Sequence, residues 1–204
     1  MRRWPAALVA ALVIAGCGGS GSGTAPGAGT GTGTGTGLQG LVLRPAKAAP
    51  ALVLRNYTGT PVRLSSLRGR AVFVTFVYTH CPDVCPLIVA SLAAAERQLG
   101  PRSARIRILA VTVDPRRDTP AAIRAFLRAR DAVGRMDYLI GSPRQLAPIW
   151  KRWDVAVTAG PNRLTAGHSS VIYGITGTGR MAVVYPSNVT PGQIEHDAPL
   201  LARS

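Results

Sequence analysis

The chain has 204 residues, a formal net charge of +15, and 22 arginines against two lysines. That length suits one core-bearing domain with an appendage. Nucleic-acid binding does not fit, because the arginines are scattered rather than blocked, aromatic residues make up only 5%, and the N-terminus reads as an export signal. What the charge leaves is a solvated basic surface, with some attraction to anionic lipid or to an acidic partner.

In chain order, Met1-Arg2-Arg3 precedes an almost wholly apolar run from Pro5 to Ala15. Charge, a short apolar run and small residues in that order make a signal peptide over 1–16. The run falls short of the ~20 residues that a spanning helix needs. Ile14-Ala15-Gly16-Cys17 resembles a bacterial lipobox, which implies cleavage before Cys17 and a lipid on its sulfur. The expected location is extracytoplasmic, anchored to the cell membrane as a lipoprotein, in a compartment that permits disulfides. From Gly18 to Gly37 the chain is nearly all Gly, Ser and Thr. Such a segment cannot bury enough apolar surface to order itself. Residues 17–40 are therefore expected to be a tether with a reach of about 25 Å by random-coil scaling, and 41–204 the domain.

Within the domain, strand and helix patterns alternate. Ala51 to Tyr57 and Pro61 to Leu64 read as short strands around a Thr-Gly-Thr turn, and Ala71 to Tyr78 as a strand buried on both faces. Leu87 to Leu99 reads as a helix with Pro86 in its first turn and Gly100-Pro101 closing it. Ile106 to Val113 is a second buried strand. Thr119 caps a helix that begins at Pro120 and turns Ile123, Phe126 and Leu127 to one face. A strand at Tyr138 to Ile140 precedes a third helix, Pro143 to Trp153. After an irregular stretch, Val155 to Gly167, comes a hairpin of Ser169 to Thr176 and Arg180 to Tyr185, then a helix from Pro191 to Leu201. The class is α/β, with a central sheet flanked by helices.

Cys81 and Cys85, four residues apart in Tyr78-Thr79-His80-Cys81-Pro82-Asp83-Val84-Cys85-Pro86, carry the chemistry. With Cys17 committed to lipid, they are the remaining thiols of the three. At the start of a helix both sulfurs are expected to share a face of the first turn, where thiolate is favoured. Such a pair holds a soft metal, cycles through a disulfide, or staples the fold. A metal would need a third donor from His80, His168 or His196. His80 points away from the convergence of the sulfurs, and His196, between Glu195 and Asp197, is a surface residue. His168 ends the irregular stretch just before a central strand, although a lone histidine is a weak signal.

Three blocks decide among these. Tyr-Thr-His-Cys-Pro-Asp-Val-Cys-Pro at 78–86, Val-Thr-Val-Asp-Pro-Arg-Arg-Asp-Thr-Pro at 111–120 and Gly-His-Ser-Ser-Val-Ile-Tyr at 167–173 resemble the signature blocks of the SCO/SenC family, in the family's order. The resemblance implies a thioredoxin-like fold with an N-terminal β extension and an inserted hairpin. It also implies copper held by Cys81, Cys85 and His168. The family serves assembly of the dinuclear copper centre of cytochrome c oxidase, so the implied partner is that copper subunit or another copper protein, with a monomer as the working assembly.

Two thiolates and an imidazole make a three-coordinate Cu(I) site open to an incoming ligand, and Cu(II) would recruit a further donor. A Cys81–Cys85 disulfide would abolish it. Asp114 is a candidate group behind the ligands or a partner contact, against a plain turn role before Pro115. Asp118 and Thr119 read as a helix cap, and Trp150 and Trp153 as core or interface residues rather than a cofactor box. A metallochaperone, rather than an enzyme, is the leading reading. The alternatives are a thiol–disulfide oxidoreductase that keeps the receiving cysteines reduced and a thiol peroxidase. The three intervening residues argue against the first, since dithiol reductases of this fold carry Cys-x-x-Cys. The lack of a lone cysteine beside an arginine argues against the second.

Overall fold

The computed structural model describes residues 37–159, 164–165 and 170–204. The segment read as an export signal, Cys17, the expected tether as far as residue 36, and His168 lie outside the described residues.

Chain order runs β1 (Leu41–Ala48), β2 (Val53–Asn56), β3 (Pro61–Arg63), β4 (Ala71–Val77), α1 (Val84–Leu99), β5 (Ile106–Thr112), α2 (Pro120–Arg128), β6 (Asp137–Ile140), α3 (Pro143–Arg152), β7 (Thr158–Ala159), β8 (Leu164–Thr165), β9 (Ile172–Ile175), β10 (Arg180–Tyr185) and α4 (Pro191–Arg203). Eight of these strands form one mixed sheet in the order β1-β10-β9-β4-β5-β6-β2-β3. β4, β5 and β6 run parallel at its centre, and β9 lies antiparallel against the other side of β4.

Every residue of β4 is buried, which is why its sequence is a continuous apolar run rather than an alternating one. Phe73 and Val77 pack with Ile88 and Leu92 of α1, Leu127 of α2 and Leu201 of α4. Val74 and Phe76 face the other side, against Leu146 and Ile149 of α3 and Leu54 of β2. Three helices start as their caps dictate. The Thr119, Ser142 and Thr190 hydroxyls accept from the amides of Ala122, Gln145 and Gln193, each with proline in the first turn. On β9, a Cβ at Gly174 would come within 2.4 Å of Val183 and 3.1 Å of Leu201. Only glycine lets β10 and α4 close over the sheet there.

The structure departs from the sequence reading in two places. Helix α1 begins at Val84 rather than Leu87, because Pro86 in the third helical position costs no intrahelical bond. The irregular stretch Val155 to Gly167 contains a short antiparallel ladder, Thr158↔Thr165 and Ala159↔Leu164. The C-terminal helix forms as expected with His196 exposed on it, while the next residue turns inward. Asp197 is fully buried and accepts the Gln39 amide and the Tyr185 hydroxyl at 2.8 and 2.7 Å. His196 Nδ1 lies 2.7 Å from the same carboxylate.

Candidate metal centre

The site grows out of the end of β4. After Val77 the chain turns, with the Cys81 amide donating to the Tyr78 carbonyl at 3.3 Å, and re-enters order as α1. Cys81 precedes the helix and Cys85 is its second residue, so the two sulfurs do not share the first turn as expected. They meet by another route. The Cys85 amide donates to Cys81 Sγ at 3.4 Å, and the nominal cap residue, Asp83, makes no side-chain cap bond. The Cys81 sulfur thus receives a free amide of the helix start, the place where negative charge is stabilised. Both thiols are free and buried, Cys81 at 9% exposure and Cys85 at 1%.

Their electrostatics are unequal, which corrects the expectation of two favoured thiolates. Burial works against charge on Cys81 but is outweighed by hydrogen bonds from the Cys85 thiol, the amides of Asp83 and Cys85 and the Tyr78 hydroxyl. Its pKa lies below the ordinary thiol value. Burial pushes the Cys85 thiol well up, and its hydrogen bond to Cys81 adds to this. Burial and the neighbouring Cys81 push Tyr78 up to about 12. The first proton leaves the pair as a whole, with the charge residing on Cys81. Iodoacetamide labelling of the reduced, metal-free chain should therefore modify Cys81 at lower pH than Cys85. Cys85→Ala, which removes a thiol donor, should move the Cys81 profile upward. Peptide mass mapping across pH reads both, and coincident profiles for the two thiols would overturn the asymmetry.

Sequence reasoning missed the residue that holds this turn in place. Asp118 is 3% exposed and does not cap α2; that role falls to Thr119 alone. Its Oδ1 accepts the amide and hydroxyl of Thr79 at 2.9 and 2.7 Å. Its Oδ2 accepts the hydroxyls of Thr112 and Tyr138 at 2.5 and 2.8 Å. Asp118 thereby ties the residue two before Cys81 to the ends of β5 and β6. Burial, then Asp118, then Cys85 and Asp114 hold the Tyr138 phenol far above its ordinary pKa, so this ring sits among the thiol and both carboxylates. The available signal was a pair of threonines, Thr79 and Thr112, at the ends of two adjacent parallel strands with an acid six residues beyond the second.

Asp114 occupies the turn after β5, its carbonyl accepting the amides of Arg117 and Asp118, as a turn residue should. It is also fully buried. Its Oδ2 takes the Arg117 guanidinium, while Oδ1 has no partner among the described residues. His80 is exposed, and His196 sits on α4 beside Asp197; neither joins the sulfurs. Among the described residues no group of three or more His, Cys, Asp or Glu side chains is placed to hold a metal, and His168 is not among them. Trp153 is buried against Phe76 and Tyr173. Trp150 donates to the Thr112 carbonyl at 3.1 Å, so both tryptophans are structural. No helix among the described residues is long and apolar enough to cross a membrane.

The SCO1/SenC family model matches residues 44–200, which include both cysteines, Asp114, Asp118 and His168. The chain belongs to the SCO1/SenC family. Among relatives, a protein of Stutzerimonas stutzeri is 30% identical over 164 residues, 78% of this chain and 74% of that protein. The mitochondrial SCO2 homologue of Bos taurus is 36% identical over 115 residues, 53% of this chain and 42% of its own length. The chain thus spans less than half of that bovine protein. The structure of Bradyrhizobium japonicum ScoI with copper bound superposes with a TM-score of 0.67 at 27% identity, covering 76% of this chain and 99% of that one. The fold of this family member is thioredoxin-like, a mixed eight-stranded sheet flanked by helices.

Proposed function

We propose that the protein is a membrane-tethered, extracytoplasmic copper chaperone for assembly of the dinuclear copper centre of cytochrome c oxidase. Its cargo is Cu(I), held by the sulfurs of Cys81 and Cys85 and the imidazole of His168. The observation that carries this reading is the pair of buried thiols at the end of β4, within reach of one another and supported by a helix-start amide. Two soft donors fit Cu(I), and their depth excludes competing water. The third donor is inferred from chain direction. The Thr75 hydroxyl donates to the Val171 carbonyl at 3.1 Å, so the chain three residues past His168 runs beside the strand that leads to Cys81. The copper-bound ScoI relative supports the same cargo. The lipid on Cys17 and the tether behind it supply the membrane location, and Asp114, with a buried oxygen unpartnered among the described residues, is the group proposed to act behind the ligands.

Binding consumes thiolates, so it should release protons. A Cys81–Cys85 disulfide removes both sulfur donors, making oxidation and copper occupancy mutually exclusive. The reduced chain should bind one Cu(I) in anaerobic titration against a competing chelator, and the same chain oxidised with diamide should bind none. Equal binding by the two forms would rule out the thiols as ligands.

A second reading, a thiol–disulfide oxidoreductase that keeps the receiving cysteines reduced, is favoured by the asymmetry of the pair. A Cys81 thiol that ionises more readily than its Cys85 neighbour suits an attacking and a resolving thiol.

A further inference from the structure

Chemistry at the thiols leaves most of the +15 charge without a use, and one end of the molecule gives part of it one. That end holds the starts of β4 and β5, with the end of β9 and the start of β10 beside them, through the pairs Ala71↔Ile106, Val72↔Ile175 and Met181↔Ile175. The thiols follow the far end of β4. A strand of seven residues sets the two ends about 20 Å apart.

Two clefts open at the start of β4 and β5, and Arg203 in the last turn of α4 lines both. The larger, of about 520 Å³, has Val42 and Leu43 of β1, Ala182 of β10 and Leu200 of α4 as apolar walls. Arg44 and Arg180 join Arg203 in its lining, and the Arg180 guanidinium donates to the Ala46 carbonyl, which holds it at the cleft. The smaller, of about 260 Å³, sets Leu99, Ile106 and Pro199 beside Arg102, Arg105 and Arg203. Arg102 pairs with Glu195 at 2.9 Å, which offsets its charge. No described Asp or Glu side chain lines either cleft.

Apolar walls with guanidinium groups between them match an amphiphile. Arginine lays its stem on apolar surface while its head grips a phosphate through two parallel hydrogen bonds. Two clefts that share an arginine suit an extended amphiphilic surface better than one small molecule. The path of the chain selects that surface. Leu38, among the first residues described, lines the larger cleft, and a Cβ at Gly37 would meet Leu200 at 3.6 Å. The chain that leads back to Cys17 therefore joins the domain at its basic end.

We propose that this end of the domain docks on an anionic bilayer. Lipid phosphates pair with Arg44, Arg105, Arg180 and Arg203, while the headgroup boundary covers the apolar walls of the clefts. This rests on the membrane location in the proposed function, not on copper. Docking this way holds Cys81 and Cys85 at the end of the domain away from the lipid.

The test uses the full chain carrying Cys17→Ser, which removes the lipidation site so that the surface alone is read. Affinity is measured by co-sedimentation with vesicles of equimolar phosphatidylglycerol and phosphatidylcholine, and with vesicles of phosphatidylcholine. The ratio of the two affinities cancels the apolar contribution of the N-terminal segment that all variants share. Arg105 and Arg203 are exposed, and replacing both by glutamate should lower that ratio roughly thirtyfold. Arg116 and Arg124 are exposed and line neither cleft. Arg116→Glu with Arg124→Glu makes the same change in net charge and should leave the ratio within about threefold, since distant charges are screened. Amide hydrogen exchange over 41–48 and 198–204 should slow on the anionic vesicles. Equal losses from the two double variants would reduce the binding to net charge and overturn the docking face. Equal binding to the two kinds of vesicle would overturn it as well. Binding of soluble polyglutamate without binding of anionic vesicles would assign the face to an acidic protein instead. Failure of the tether reads out separately, as Cys17 without lipid in the mass of the unaltered chain recovered from bacterial membranes.

Discussion

Replacing Cys81 or Cys85 by serine is expected to lower the Cu(I) affinity of the reduced chain by a factor of 100 or more. Structural thiolate and imidazole sites bind with apparent free energies of about 10–16 kcal/mol spread over four ligands, so each ligand carries roughly 3 kcal/mol, or more than a hundredfold. A serine hydroxyl does not recover this, being a hard donor that keeps its proton at neutral pH. His168→Ala removes a neutral donor and should cost less, about ten- to a hundredfold, as for groups that support a metal without supplying its charge. Competition against a Cu(I) chelator measures all three variants on one scale. If His168→Ala binds as the unaltered chain does while thiol reductase activity persists, the pair is a redox couple rather than two-thirds of a copper site. The reductase reading then replaces the chaperone reading.

The largest stability effect is expected at Asp118. Asp118→Ala strands the Thr79 amide and the Thr112 and Tyr138 hydroxyls in the interior at once. Each buried donor left without an acceptor costs about 1–3 kcal/mol, so a loss of roughly 3 kcal/mol or more is expected, well beyond an average substitution. Thr79→Ala, which removes one hydroxyl from the same network, should cost only about 1 kcal/mol. Urea midpoints of the metal-free chain and its variants report the difference. Similar midpoints for Asp118→Ala and Thr79→Ala would mean that the network does not hold the turn together. Because Asp118 anchors the residue two before Cys81, its loss should also weaken Cu(I) binding without removing a ligand, by about ten- to a hundredfold.

Much of the fold was readable residue by residue, for local reasons. Thr119-Pro120, Ser142-Pro143 and Thr190-Pro191 each combine a side-chain acceptor with a residue that lacks an amide proton, and each starts a helix at that point. The apolar run of β4 has no polar alternation because both faces are covered. The strand β1 was not read from the sequence, which placed its first strand at Ala51. It is an edge strand with one neighbour, β10, and a register shift between Val42 and Lys47, so its sequence lacks the clean period of a half-buried strand. The order of strands in the sheet has no local signature at all, since it is set by which faces bury one another.

The dithiol shows the same division most sharply. From the sequence by itself came the two cysteines, their spacing, the helix behind them and the family blocks around them, because turn chemistry, hydrophobic period and motif are properties of neighbouring residues. Only the tertiary structure decided how the sulfurs meet: Cys81 ahead of the helix, accepting the Cys85 amide, and the more readily ionised of the two thiols. It also turned Asp118 from an apparent helix cap into the common acceptor for Thr79, Thr112 and Tyr138. Burial and hydrogen bonding between residues far apart in the chain set these roles, and neither is visible until β4, β5 and β6 lie side by side.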